Sequence, residues 1–292
     1  MKLRRQPIIA AAAVVVVAGI LFAIIHSSKK DKAETEAASA TPTEQPLNIS
    51  IMLDLSDRLT KPGPNGNVPQ IEKDTALIAF IRQWFVDRQV RNKFMSGDMI
   101  RVMCYPNPNL ADMVRIQDSL TVDMTLGSGS KLEAIRSNKR TLLSMPAVWH
   151  RSLDRLYTSA LSAKQWVGAD VWGYFNSSAK NQCIKQGYRN ILIVLTDGYL
   201  YHKQSWRKDA DGSYTGILPI TVASQKSITP ITADMSGLEV LFLEVNPQKP
   251  DHFSKMQALL TDWCQNMGIS HVEVLVTDLP ANITPSIKAF LE

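Results

Sequence analysis

The chain has 292 residues, 45% apolar and 20% charged, with mean hydropathy near zero, a balance that excludes both a disordered chain and a polytopic membrane protein. Its formal charge of +5 falls to about +2 once Lys2, Arg4 and Arg5 are set aside, and the remaining basic residues are scattered, which argues against nucleic acid as a partner. Three cysteines cannot make a disulfide framework.

Residues 1–7 form a basic flank. Ile8–Ile25 (IIAAAAVVVVAGILFAII) then runs 18 residues without a charge or strongly polar side chain. As a helix this run would span about 27 Å, near the lower limit for crossing a bilayer. It is longer than the usual core of a cleaved signal, and bulky Ile24, Ile25 and His26 stand where a cleavage site would fall. The expectation is an uncleaved, single-pass signal anchor in the cytoplasmic (inner) membrane with the rest of the chain extracytoplasmic. Residues 26–46, rich in Lys, Glu, Ala, Thr and Pro, read as a flexible tether.

Residues 47–292 alternate strand and helix patterns. Leu47–Leu53 (LNISIML) is a buried strand ending in Asp54, and an irregular Pro/Gly loop follows. From about Glu72 to Phe94 a helix carries Leu77, Phe80, Ile81, Trp84 and Phe85 at intervals of three and four, with Arg88 at the next inward position. Gly97–Tyr105 is a second strand, and Val114–Thr125 alternates weakly, as one or two short edge strands would. Gly127-Ser128-Gly129-Ser130 makes a turn and a helix cap. Lys131–Ser162 is helical with an interruption at Pro146, and Arg189–Leu195 (RNILIVL) is the clearest strand. A polar insertion covers Gly212–Pro230. Strand Leu238–Val245, helix Asp251–Met267, strand His271–Thr277 and a closing helix Ile283–Leu291, starting at Thr284-Pro285, complete the chain. This order predicts one α/β domain with a doubly wound, mostly parallel sheet flanked by helices. Cys104 reads as a small buried hydrophobe; a Cys183–Cys264 bridge is possible, but their spacing does not demand it.

Ligands of such sheets collect beyond the carboxyl ends of the strands. Two strong strands end there in aspartate, Asp54 in IMLDLSDR and Asp197 in IVLTDGY, with Ser56 and Gly198 close by. Carboxylate and hydroxyl oxygens are the donors that hard divalent ions prefer.

These motifs resemble those of the von Willebrand factor type A family, over roughly Leu47–Leu291. That family's metal-ion-dependent adhesion site opens with Asp-x-Ser-x-Ser. Here Asp54 and Ser56 match, and Arg58 stands at the second serine. Thr196-Asp197-Gly198 matches the family's strand-final motif, and Asp170, in Gly168-Ala169-Asp170, stands where its threonine would be. The resemblance implies a three-layer fold, no catalysis, and metal ligation by Asp54, Ser56, Asp170 and Asp197. It also implies bound Mg2+ or Ca2+ and a protein or cell-surface ligand engaged at that edge, with Arg58, Thr196 and Tyr199 as site cation or rim. The alternative state of the site has Arg58 paired with Asp197 or Asp170 as a built-in cation, leaving a retired metal site on a structural envelope protein. An enzyme alternative is a metal-dependent phosphohydrolase with Asp54 as nucleophile, although Ser56 stands where its acid/base aspartate belongs. His202 reads as solvent-facing. Of Trp166, Trp172, Tyr174, Phe175, Tyr199, Tyr201 and Trp206, about half belong to the core and the rest to a partner-binding rim.

Overall fold

The computed structural model describes residues 44–60, 69–125, 130–162, 168–247, 249, 251–276 and 279–292. The expected anchor, most of the tether, the Pro/Gly loop, Gly127–Gly129 and Trp166 lie outside them. Among the described residues no helix is long and apolar enough to cross a membrane.

The domain is α/β, built on a six-stranded sheet in the order β3-β2-β1-β4-β5-β6. The strands are β1 Leu47–Leu53, β2 Met99–Cys104, β3 Thr121–Asp123, β4 Arg189–Leu195, β5 Leu238–Leu243 and β6 Val272–Val274. All neighbours pair in parallel except β3, which runs antiparallel along β2. The helices are α1 Gln70–Arg91, α2 Met113–Ser119, α3 Lys131–Leu161, α4 Val171–Tyr174, α5 Lys180–Cys183, α6 Pro219–Ala223, α7 His252–Asn266 and α8 Pro280–Leu291. A π-helical turn, Phe175–Ala179, joins α4 to α5.

Alternation along the strands sends side chains to two separate cores. Ile49, Ile51 and Leu53 of β1, with Ile191, Ile193 and Leu195 of β4, pack against α1, α3 and α8. Met52, Leu192, Val194, Val240 and Phe242 pack against α4, α7 and the π turn. Strands covered on both faces must be apolar at nearly every position, which is why RNILIVL stood out in the sequence. Asn48, on the second face, is buried but satisfied: its amide donates to Cys183 O and to Asn190 Oδ1, each at 2.9 Å.

Three expectations change. The first half of Val114–Thr125 is helix, because Met113 and Ile116 bury one side of α2, and only Thr121–Asp123 forms the expected short edge strand. Pro146 does not interrupt α3, which continues on both sides of it. Interior proline costs about 3 kcal/mol. Leu142, Met145, Trp149, Leu153 and Leu156, all buried on the same face, each contribute roughly 1.5–3 kcal/mol and outweigh it. The closing helix starts at Pro280 rather than at Thr284, so Pro285 lies inside it. Arg88, at the inward position of α1, is anchored by charge: its Nε donates to buried Asp98 at 2.9 Å and its Nη1 to Glu44 at 2.6 Å. All three cysteines are free and buried, so Cys183 and Cys264 are not bridged.

The expected cap at the start of α3 forms. Ser130 Oγ accepts from Glu133 N, and the Glu133 side chain accepts from Ser130 N in return. Ser130→Ala should lower stability by about 1 kcal/mol, read as a lower urea midpoint at unchanged slope.

Candidate functional site

The carboxyl edge of the sheet gathers one acidic residue from each of four neighbouring positions. Asp54 follows β1, Asp197 follows β4 and Glu244 follows β5. Asp170 is held beside the end of β2, where its backbone N–H donates to Tyr105 O at 3.0 Å. The motifs point to the first, second and fourth of these carboxylates; Glu244 ends an apolar strand in the same manner as Asp54 but belongs to none of them.

Asp54 is 1% exposed, and both its carboxylate oxygens are engaged. Oδ1 accepts from Ser56 N at 2.9 Å, the geometry of an Asx turn, and Oδ2 accepts from Thr196 Oγ1 at 2.8 Å. The turn leads into a short 3-10 helix, Asp57–Leu59, which directs Arg58 back under the edge. Arg58 is 4% exposed. Its Nε donates to the Asp54 carbonyl at 2.7 Å and stands 3.9 Å from Asp54 Oδ2. Its terminal nitrogens form a fork on Asp74 of α1, at 2.7 and 3.1 Å, and Nη1 reaches Glu244 Oε2 at 3.3 Å. The metal-free alternative pairs the guanidinium with Asp197 or Asp170; it turns instead to two residues that the motifs do not indicate.

Tyr157 of α3 donates its hydroxyl to Asp74 Oδ2 at 2.9 Å. Gln70 donates to Asp74 Oδ1 at 3.0 Å and also to Glu244 Oε2. Burial alone would push the Arg58 pKa down, but the neighbouring charges of Asp74, Asp54 and Glu244 outweigh it and hold the pKa above its ordinary value. Burial would raise Asp74, but Arg58 and the hydrogen bonds around it keep it below the usual carboxylate range. Glu244 goes the other way. Burial, then the charge and hydrogen bond of Asp74, push it up to about 10, so it is a neutral carboxylic acid near pH 7. Its Oε1 is buried and accepts no hydrogen bond, a placement that would penalise the ionised form heavily. Glu244 also has φ of 66°, in the left-handed region that residues other than glycine seldom occupy.

Asp170 belongs to a separate group. It caps α4, its Oδ1 accepting from Gly173 N at 2.8 Å, while Oδ2 accepts from Ser205 Oγ. Gly173 is required for this approach, since a Cβ there would lie 2.3 Å from Asp170 Oδ2. His202, expected in solvent, is 8% exposed; its Nδ1 is 3.1 Å from Ser205 Oγ and 3.5 Å from Asp170 Oδ2. Asp197 Oδ1 accepts from Tyr199 N at 3.0 Å, closing a second Asx turn around Gly198, where φ is 91° and a Cβ would strike Met256 Sδ at 2.1 Å.

Among the described residues, no group of three or more His, Cys, Asp or Glu side chains is arranged to hold a metal ion. As they stand, Asp54, Ser56, Asp170 and Asp197 do not fit a divalent cation. The Asp54 oxygens are taken, a guanidinium stands beside them, and Asp170 is committed to its helix cap and Ser205.

Of the aromatics, Trp172, Tyr174 and Phe175 are core residues. Tyr199, Tyr201 and Trp206 are half-buried. Trp206 stacks on Tyr214 with centroids 5.9 Å apart, and Tyr201 lies 6.3 Å from Trp206. Fold and edge together define a doubly wound α/β domain with an arginine-centred, buried polar cluster at its ligand-collecting edge. No protein-family model and no curated protein sequence matches the chain. Among solved structures, the pilus adhesin SpaC from Lactobacillus rhamnosus GG, in its open conformation, is 12% identical at a TM-score of 0.40. The match covers 86% of this chain and 30% of the adhesin, and a likeness at that level carries no argument.

Proposed function

We propose that the chain is a membrane-anchored, extracytoplasmic binding module of the von Willebrand factor type A kind, in which Arg58 supplies the cation that the family takes from a divalent metal. One observation carries this reading. The residue at the motif's second serine position is a buried guanidinium bonded to the Asp54 carbonyl, Asp74 and Glu244. A metal there would add two charges to a site that already has its counter-ion. The strand order supports the doubly wound fold that the family requires, and the 18-residue apolar run with its basic flank supports the anchor. The partner is a protein or surface ligand that approaches the half-buried Tyr199, which adjoins Asp197, and the Tyr201–Trp206 pair. Phosphohydrolysis by Asp54 is the weaker reading, because a nucleophile with both oxygens bonded and 1% exposure cannot meet a phosphoryl group.

Titration of the full chain with magnesium or calcium to millimolar levels should produce neither heat nor a thermal shift. A saturable shift that Asp54→Asn abolishes would overturn the arginine-closed site. For the partner, a photo-crosslinker at Tyr201 should capture a discrete envelope protein, whereas one at exposed Leu143 on α3 should not. Equal capture from both positions would remove the edge as the binding surface.

A further inference from the structure

Away from the carboxyl edge, a cleft of about 590 Å³ opens between α2 and α3. Arg115 and Ser119, four residues apart on α2, face Arg151, Ser152 and Arg155 on α3, with Asp112 at the N-cap of α2. Asp112 clamps Arg155 with both carboxylate oxygens, one at 2.8 Å, and so fixes that guanidinium at the cleft wall. The two serines hydrogen-bond to each other at 2.6 Å, and Ser119 Oγ also donates to Ile116 O, so the hydroxyls are occupied and any donors to a ligand come from the arginines.

Among the described residues, no carboxylate other than Asp112 pairs with the three arginines. Asp118 and Asp154, each three positions along its helix from Arg115 and Arg151 respectively, make no ion pair with them. Arg151 and Arg155 stand four apart on one helix face, a like-charge spacing that destabilises a helix by a few tenths of a kcal/mol. Arg115 and Arg151 therefore stand without a carboxylate partner among the described residues, beside a concave, partly apolar pocket that Val148 and Ile116 also line. Three guanidiniums less one carboxylate leave two positive charges. A phosphate monoester carries about −1.5 to −2 near neutral pH and presents oxygens that guanidinium forks match in pairs. The volume is that of a small-molecule site rather than of a single ion.

We propose that this cleft binds a phosphoryl group carried by a larger molecule, with Arg115 and Arg151 as its direct ligands and Arg155 positioned by Asp112. The site is independent of the arginine-closed edge and of the partner proposed for it. Calorimetric titration of the full chain with glycerol 3-phosphate, with inorganic phosphate, and with phosphatidic acid against phosphatidylcholine vesicles tests it. The expected result is saturable binding to a phosphoryl probe, weakened about tenfold by either Arg115→Gln or Arg151→Gln. Saturation by glycerol 3-phosphate identifies a soluble ester, and saturation by the anionic vesicles alone identifies a lipid headgroup. Both variants change exposed side chains, so their melting temperatures without ligand should stay the same or rise as repulsion is relieved. Failure of every probe to bind at millimolar concentration would overturn the proposal. Binding that the two variants leave unchanged would do so equally.

Discussion

Arg58→Ser should lower the stability of the domain by about 3–5 kcal/mol, the range for removing one partner of a buried ion pair and leaving the other uncompensated. The loss arises because Asp74, fully buried, would keep only Tyr157, Gln70 and the neutral Glu244 acid as donors and no counter-charge, and Glu244 would lose Arg58 on its Oε2. Urea unfolding measures it. Adding Asp74→Asn to Arg58→Ser should recover part of the loss, since a neutral amide keeps the shape and removes the stranded charge. Additive single-variant effects would mean that the pair does not act as a unit. The same variant bears on the proposed history of the site: if the arginine stands in for a metal, magnesium or calcium should raise the melting temperature of Arg58→Ser and leave the natural chain unchanged. An Arg58→Ser protein indifferent to both ions would leave the cluster as a structural network with no latent metal site.

Glu244→Gln should stabilise the domain, and by more as the pH rises. In the unfolded chain this carboxyl titrates near its ordinary 4.5; in the folded chain it is pushed up to about 10. Between those values the folded state holds a proton that the unfolded state has released, so stability from this group is fully present at low pH and is lost as pH rises, by about 1.4 kcal/mol per pH unit. Asp74 acts in the opposite sense. Its depressed pKa supplies stability above its ordinary 3.8 that is lost only on acidification, outside this window. A glutamine amide can donate to Asp74 as the neutral acid does, and it has no proton to lose. Unfolding curves of the two proteins should therefore converge near pH 4.5 and diverge steadily towards alkaline pH, with the variant the more stable. Parallel pH profiles would show that Glu244 is ionised in the native state.

The two clusters differ in how visible they were in the sequence. Asp54, Thr196 and Asp197 follow apolar strands, and a residue just past a buried strand of a doubly wound sheet has to emerge at its carboxyl edge. Their neighbourhood was therefore readable one strand at a time. Glu244 carried the same mark at the end of LEVLFLE. Asp74 carried a subtler one, a carboxylate three positions before Leu77 on the inward face of α1, where an unpaired charge would not be tolerated. Tyr157 had no mark at all, since an inward tyrosine on α3 reads as core, and its hydroxyl finds Asp74 from 83 residues away.

By itself the sequence determined the parallel strands, the four long helices, the Ser130 cap and the α/β class, because each depends on a local period or a local hydrogen bond. Tertiary structure alone decided that Pro146 stays inside α3, that Val114–Ser119 is helix, and that Arg58 turns to Asp74 and Glu244 rather than to Asp197 or Asp170. Each of these outcomes compares a local preference with burial or charge supplied by segments far along the chain. A proline penalty of about 3 kcal/mol yields to a buried helix face, and a guanidinium follows the carboxylates that cannot reach water.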